Sequence, residues 1–530
     1  MYFHVASKLL RYYKYFIMPK TIQFKLDFNQ DLGSYFKSKF PEFKQYRILS
    51  KSLDARGAPR GKKPVYHYIL EAIKEGEEFS SYQEESKVIK APSKPPIFIG
   101  AGPAGLFGAL RMVEKGVPCI IIERGDEANK RMLAISKYWR RGQLDTESNV
   151  CFGEGGAGLF SDGKLITRVK SPLVKYVMHK FVEFGAPEET AYISNPHLGS
   201  NKIRALIGKI SGYLKENGCK FYYNTRVDRL IYEEGKVTGV ELSNGEKLYS
   251  DHIVLAAGHS AKELYHHLNE NDVALSQKDF AVGVRIEHPR SVIDSIQHGR
   301  FAEELEAARY KLTHHEQKAD KGTYSFCMCP GGYVLSSGTD EGGIVINGMS
   351  NFARNSPWSN SALVVSVKAG RDFKDDDPLA GLEFQESIER KAYEVSKELA
   401  SGKELPAMTV EEFLKGKLNN EELPKTSCPS KLVKADITKI LPEFISEHLK
   451  GALKEFNRKM KGYSSGKAVL IAPETRTSAP ITILRDKKSF ESVSHRGLYP
   501  CGEGAGYAGG ITSAAVDGIK VADSILGVNS

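Results

Sequence analysis

At 530 residues, 41% of them apolar and 26% charged, the chain has the composition of an ordinary globular protein with room for about three or four units of roughly 150 residues. No apolar run reaches the ~18 residues a membrane-crossing helix needs, so no membrane span is expected. Seven scattered cysteines, an odd number without a secretory signal, exclude a disulfide framework and point to a reducing, cytoplasmic setting. The net charge is +10, and Lys and Arg outnumber Asp and Glu 17 to 10 over residues 1–90, so most of the excess lies at the front. That admits an anionic partner, although a solvated basic surface accounts for it more simply.

Residues 1–19 read as a disordered extension. They are basic and aromatic but lack a signal peptide's long apolar region and cleavage site, and Met18 opens what looks like the natural start. A basic amphipathic anchor is the alternative. Residues 20–90 read as a small βαββ module followed by a polar linker. Its strands lie near 21–28, 46–53 and 64–73, with a short helix over 31–40 between the first two.

Residues 91–274 begin a nucleotide-binding domain. The stretch from Pro95 to Arg124, PPIFIGAGPAGLFGALRMVEKGVPCIIIER, sets out a buried strand, a glycine turn, a helix and a second buried strand in order. Gly100 permits the tight turn, Gly102 lets the backbone approach a pyrophosphate, and Gly105 lets helix and strand pack closely. Pro103 and Ala104 open the helix, whose N-terminal N–H groups and positive dipole end suit phosphates. Glu123 ends the second strand where a carboxylate can accept bonds from a ribose diol, with Arg124 beside it. A lone G-x-G-x-x-G is weak evidence; this ordered context makes it a dinucleotide site.

A helix is expected over 127–141. A second glycine cluster, NVCFGEGGAGLFSDGKL (149–165), follows. Its glycines cannot form an efficient helix or strand interior, and Gly155, Gly156, Gly158 and Ser161 suit a loop whose N–H groups face an anionic or ring-shaped ligand. Residues 219–233 read as one strand that includes Val227. A hairpin with an Asn244-Gly245 turn comes next, then a strand entering Ala257-Gly258, another close backbone approach.

Residues 275–465 read as an inserted α+β domain covering a substrate. The C-x-C of Cys327 and Cys329 on an extended strand would put both thiols on one face, which admits a redox dithiol, but a disulfide between i and i+2 is strained; two packed, reduced cysteines are the default. The pairs His266-His267 and His314-His315 lie in polar stretches that read as helical, with no convincing metal-ligand spacing. No metal site is expected. Residues 466–530 return to the cofactor: GLYPCGEGAGYAGGITSAAVDGI is a short strand, a glycine turn and a helix, with Cys501 as a small residue below the turn.

Four segments, 95–123, 149–165, 224–258 and 497–518, resemble the FAD-binding domain of the glutathione-reductase superfamily. The chain from about residue 21 to 527 resembles the uncharacterised bacterial FAD-dependent dehydrogenases. They share the front module, a loop like FGEGGAGLFSDGKL, a strand like FCMCPGG and a closing segment like ETRTSAPI…GEGAGYAGGI. The resemblance implies a discontinuous Rossmann-type α/β domain holding FAD. Gly502-Glu503 stands where that superfamily's Gly-Asp contacts the ribityl chain, and Gly510-Ile511 stands where a helix N-terminus faces the flavin pyrimidine. Because no second strand–G-x-G-x-x-G–helix unit occurs, the chain looks closer to the single-Rossmann, fumarate-reductase-like or BaiN-like branches. NAD(P)H is then at most a transient electron donor.

The expected activity is FAD-dependent oxidoreduction of a small, conjugated or carboxylated compound. Arg476, Lys164 and Asp162 are the candidates for positioning an anionic substrate or stabilising reduced flavin. Arg285, Glu287 and His288 are alternatives if their strand lines the pocket; each could equally sit in a structural ion pair. The competing expectation is a flavoprotein that binds RNA through its basic front module. The patterns carry no signal for an oligomeric state.

Overall fold

Three extended stretches and one short helix make up the first part of the chain. A computed structural model describes residues 19–79, 89–374 and 376–528; residues 1–18 of the expected extension and 80–88 of the linker lie outside these residues. Contacts divide the chain into one unit of residues 1–87 with 192–195 and another holding the rest. In the first, β1 (Lys20–Asp27), β2 (Gln45–Asp54) and β3 (Val65–Ile73) form an antiparallel sheet in the order β1-β3-β2, and α1 (Leu32–Lys39) links β1 to β2. Asp31 caps α1 by accepting from the Ser34 amide at 2.8 Å. Ile22, Leu26, Phe36 and Leu70 make the core beneath.

The second unit opens with β4 (Ile97–Ile99), α2 (Pro103–Glu114) and β5 (Ile120–Ile122). Three helices follow, α3 (Arg131–Arg141), α4 (Leu173–Glu183) and α5 (Gly199–Glu216), and then β6 (Lys220–Tyr222). The single strand expected over 219–233 is broken at Asn224, which takes a left-handed φ of 52°. Asn tolerates that conformation better than most residues. The break lets β6 stay in the parallel sheet while β7 (Val227–Glu233) starts a separate meander with β8 (Lys236–Leu242) and β9 (Lys247–Tyr249). Next come β10 (Ile253–Leu255), α6 (Lys262–Glu270) and β11 (Leu275–Gln277).

The inserted region contains β12 (Phe280–Pro289), α7 (Arg290–His298), β13 (Thr313–Glu316), β14 (Lys321–Cys329), β15 (Tyr333–Ser336), β16 (Ile346–Met349) and β17 (Trp358–Val367). It continues with α8 (Ala380–Leu399), β18 (Leu405–Thr409), α9 (Val410–Lys415), β19 (Leu432–Lys434), α10 (Glu443–Lys459) and β20 (Val469–Glu474). Its seven-stranded sheet runs β13-β14-β17-β12-β20-β18-β19, so β20 lies in this sheet. Helix α10 buries Ile445, Leu449, Leu453 and Phe456 in the core of this region. His314 and His315 lie on β13, not on a helix.

The chain then returns through β21 (Ile481–Ile483), β22 (Leu498–Pro500) and α11 (Ile511–Ile525). Strand β22 completes a parallel sheet in the order β22-β10-β4-β5-β6. Parallel strands buried on both faces read as continuous apolar runs, which Ile97–Ile99 and Ile253–Leu255 are. Helices α2 and α11 pack together closely: a Cβ on Gly518 would come within 2.0 Å of the Ala104 carbonyl oxygen. Arg111 reaches across to Asp523 at 2.6 Å in the same buried seam. The fold is thus α/β, with a Rossmann-type sheet assembled from both ends of the second unit around the inserted α+β region. Among the described residues, no helix is long and apolar enough to cross a membrane.

Candidate functional site

The carboxyl ends of β4, β5, β10 and β22 open onto one cavity of about 770 Å³, within the usual range for cofactor sites and placed where open parallel sheets bind ligands. The β4–α2 turn forms its floor. A Cβ on Gly105 would meet the Gly100 carbonyl oxygen at 2.0 Å, and one on Gly100 would meet the Ala256 oxygen at 2.4 Å. Those two glycines are bare because protein backbone needs the space. Gly102 differs. The nearest atom to a Cβ there is Gly156 Cα at 4.0 Å, so its bare side faces the cavity.

Two helix N-termini reach this wall. Helix α2 begins at Gly102-Pro103 and α11 at Gly510-Ile511; neither has a side-chain cap, and all four residues line the cavity. Uncapped N–H groups and the positive dipole ends together suit a ligand carrying phosphates and an electron-rich ring. This donor set and the open face of Gly102 fit a dinucleotide.

Glu123 lines the cavity, but much of its capacity is already used. Its Oε1 accepts from the Gly125 and Gly153 amides at 3.0 and 2.9 Å, and its Oε2 accepts from the Ala101 amide at 2.9 Å. The carboxylate therefore clamps the two glycine loops together and keeps one free lone-pair position on Oε2. Arg124 lies 3.8 Å over the Phe152 ring and pairs with Glu147 and Glu263 at 3.0 Å each.

The second glycine loop is organised by Arg131, which sequence reasoning missed. Its guanidinium is fully buried and donates to five carbonyls: those of Asn149, Val150, Gly153, Glu154 and Gly156. Burial lowers its pKa to about 10, with Glu123 and Glu154 acting the other way, so it stays charged at neutral pH. An Arg in a polar, exposed-looking helix gave no signal of this; the clue was the number of glycine-loop carbonyls needing donors.

Of the remaining expected residues, Ala104, Gly158, Ser161, Asp162, Lys164, Val227, Ala257, Gly258, Arg476 and Glu503 line the cavity, whereas Gly105, Gly155 and Gly502 lie behind the wall. The Gly155 amide donates to the Ala101 carbonyl at 2.8 Å. The Gly502 amide donates to Asp517 at 2.8 Å. Among the described residues the Glu503 carboxyl makes no hydrogen bond. Burial pushes it up to about 7 while Lys278 pulls it back.

Asp162 accepts from Arg354 and Ser350. Burial works to raise its pKa, but Lys164 and Arg354 outweigh it and hold the carboxyl below its usual value. Lys164 donates to the Met328 carbonyl and lies 3.5 Å from Asp162. All five N–H groups of Arg476 face acceptors: both oxygens of Glu389 at 3.0 and 2.8 Å, Ser260 at 3.2 Å, Thr339 at 2.9 Å and Asp340 at 3.6 Å. It ties α8 of the inserted region to the loop after β10.

Strand β12 does not line the cavity. Arg285 reaches that wall indirectly, bonding Glu474 and, at 3.3 Å each, the Asn347 side chain and the Cys327 carbonyl. Glu287 accepts from Ser427, and His288 donates to the Tyr463 carbonyl at 2.7 Å. The two cysteines of the C-x-C do not share an environment. A bulge between Phe326 and Cys329 breaks the alternation of β14, so Cys327 opens into the cavity and Cys329 is sealed in the protein. Among the described residues no cluster of metal ligands occurs.

A single Rossmann sheet whose bare glycine turn and two uncapped helix ends share one cavity defines a dinucleotide-binding protein of the flavoprotein class. Residues 95–282 match the family described as "Pyridine nucleotide-disulphide oxidoreductase", and residues 279–477 match "FAD-dependent protein, C-terminal domain-like". An "Uncharacterized protein" of Clostridium beijerinckii is 40% identical over 462 residues, covering 86% of this chain and 84% of that protein. The chain belongs with it to a family of FAD-dependent oxidoreductases. "Protein FixC" of Escherichia coli K12 is 28% identical over 208 residues, 37% of this chain and 44% of FixC. Among solved structures, an L-amino acid deaminase from Proteus myxofaciens aligns over 85% of this chain and 95% of its own at 12% identity, with a TM-score of 0.35.

Proposed function

We propose that this cavity holds FAD and that the chain moves an electron pair between the flavin and a small molecule admitted beside it. Gly102, Pro103 and Ala104 are assigned to the pyrophosphate, and Glu123, Arg124 and Val227 to the adenosine side. Glu503 is assigned to the ribityl region, and Gly510 and Ile511 to the flavin pyrimidine. The observation that carries this reading is the convergence of the α2 and α11 N-termini on one wall, with Gly102 bare towards the space between them.

When bound, FAD supplies hydride or electron-pair chemistry; the chain's own groups do the rest. The glycine turns bring backbone N–H donors close enough to orient the phosphates. The α11 N-terminus favours negative charge at the ring. Glu503, near 7 through burial, can hold or release a proton across the neutral range. The inserted region adds Phe326, Cys327, Asn347 and Glu474 to the cavity lining, where they displace water from beside the ring.

A reduced nicotinamide is the proposed electron donor, binding transiently because the chain carries one nucleotide-binding motif and not two. Anaerobic stopped-flow mixing of the purified holoprotein with NADH and NADPH tests this. Rapid bleaching of the flavin band with either supports it. No bleaching with both would mean that the flavin is reduced by its own substrate or by a carrier protein.

A further inference from the structure

One part of the cavity wall gathers hydrogen-bond donors from three side chains. Lys164 spends one N–H on the Met328 carbonyl and one towards Asp162, leaving a third. Asn347 has its amide orientation fixed from behind, because its Oδ1 accepts from Arg285 at 3.3 Å and from the Gly348 amide at 2.7 Å. Its NH2 end is left without a partner among the described residues. Cys327 contributes a thiol beside the Lys164 anchor, since Met328 is the next residue in the chain.

The protein holds Cys327 there against its conformational preference. Its φ is 42°, a left-handed value uncommon outside glycine. The carbonyl is pinned by Arg285 Nη1 at 3.3 Å and by the Cys329 thiol at 3.3 Å. The side chain is exposed to the cavity but surrounded by protein beyond it. Burial pushes the thiol up to about 11, with Lys164 and Arg285 acting against this, so at neutral pH it is a donor.

Two of the acids around this wall are paired, and a third is shifted by burial. Asp162 is tied to Arg354 and Ser350, and Glu474 to Arg285. Glu503 is drawn towards its uncharged form by burial.

We infer that Lys164, Asn347 and Cys327 form a substrate subsite for a small carboxylate, whose oxygens take the three donors while its body lies against the flavin. A wall of donors with one cation matches an acceptor-only anion and leaves a neutral amide's N–H groups unpaired. The inference rests on the cavity holding FAD and names the class of molecule admitted beside it.

The test uses FAD-loaded protein with benzoate as the probe and benzamide as its uncharged isostere, read by perturbation of the flavin absorbance. Benzoate is expected to shift the spectrum saturably and benzamide not to. Lys164→Met should weaken benzoate by about tenfold or more, the loss of one hydrogen bond to a charged group, and Lys164→Arg should restore most of it. Asn347→Leu provides a second variant that leaves the Asp162 pair intact, and it too should weaken benzoate. Benzoate should also slow alkylation of Cys327 by iodoacetamide, followed by peptide mass spectrometry. The inference is overturned if benzoate leaves the flavin spectrum unchanged, if benzamide binds equally well, or if both variants bind benzoate like the parent. Protein that contains no FAD would instead overturn the cofactor assignment.

Discussion

Arg285 and Glu474 meet side on inside the seven-stranded sheet, Nε to Oε2 at 2.6 Å and Nη2 to Oε1 at 2.5 Å, with both side chains buried. Glu474 faces the cavity, and Arg285 braces Asn347 and the Cys327 carbonyl from behind it. Removing one member leaves a buried charge unpaired, at a cost of about 3–5 kcal/mol. Arg285→Met should therefore lower the urea midpoint strongly, while Arg285→Met with Glu474→Leu should recover part of the loss. A single variant as stable as the parent would show that the pair is not a brace.

The two glycines packed behind the cavity floor should behave as structural residues. Gly100→Ala forces a Cβ to 2.4 Å from the Ala256 oxygen at a φ of 104°, and Gly105→Ala forces one to 2.0 Å from the Gly100 oxygen. Each is expected to destabilise the fold by more than the roughly 1 kcal/mol typical of a point substitution. Thermal unfolding with FAD and without it would show the loss in both states.

Glu287 gives the protein a pH dependence of known sign. Its carboxyl is 2% exposed, and burial raises it from 4.5 to about 7, with the Ser427 bonds and Arg285 opposing. For a carboxyl raised by folding, the associated stability is complete below pH 4.5 and is lost as pH climbs through about 7. The loss reaches up to about 3 kcal/mol for a shift of this size. Glu287→Gln keeps an acceptor and a donor for Ser427 and removes the titration. It should raise the denaturation midpoint at pH 8, and the gain should shrink as pH falls towards 4.5. An equal gain at both ends of this window would contradict the assignment.

Arg131 should not tolerate replacement by another cation. A lysine offers three donors where five carbonyls now converge, and it lacks the planar fork that reaches them. Arg131→Lys is expected to weaken FAD retention by at least about tenfold, at 1.5–3 kcal/mol per lost hydrogen bond to a charged group. Equilibrium dialysis of the cofactor measures it.

The Rossmann half was legible because its signals are local. Strand, glycine turn, helix and terminal acid from Ile97 to Glu123 follow one another within a short stretch, and each has one physical reading. The inserted region was harder. Its sheet is built from strands far apart in sequence, so β20 gives no local sign that it pairs between β12 and β18. The strand expected through Asn224 failed because one left-handed residue separates two sheets without any change in apolar pattern. The C-x-C reading assumed regular alternation, and a bulge removed it. Arg131 and Asn347 act through bonds to backbone and to other side chains, and such roles become visible only once the chain is folded.

The most direct measurement is the cofactor content of the purified chain beside that of Gly102→Ala. A Cβ at Gly102 meets no protein atom closer than 4.0 Å, so the variant should fold with the parent's stability while the added methyl occupies the space assigned to the pyrophosphate. One FAD per parent chain is expected, released on denaturation and identified by mass, and a folded variant with little or none. A parent that takes up no FAD, or a variant that retains it as tightly as the parent, would contradict the cofactor assignment.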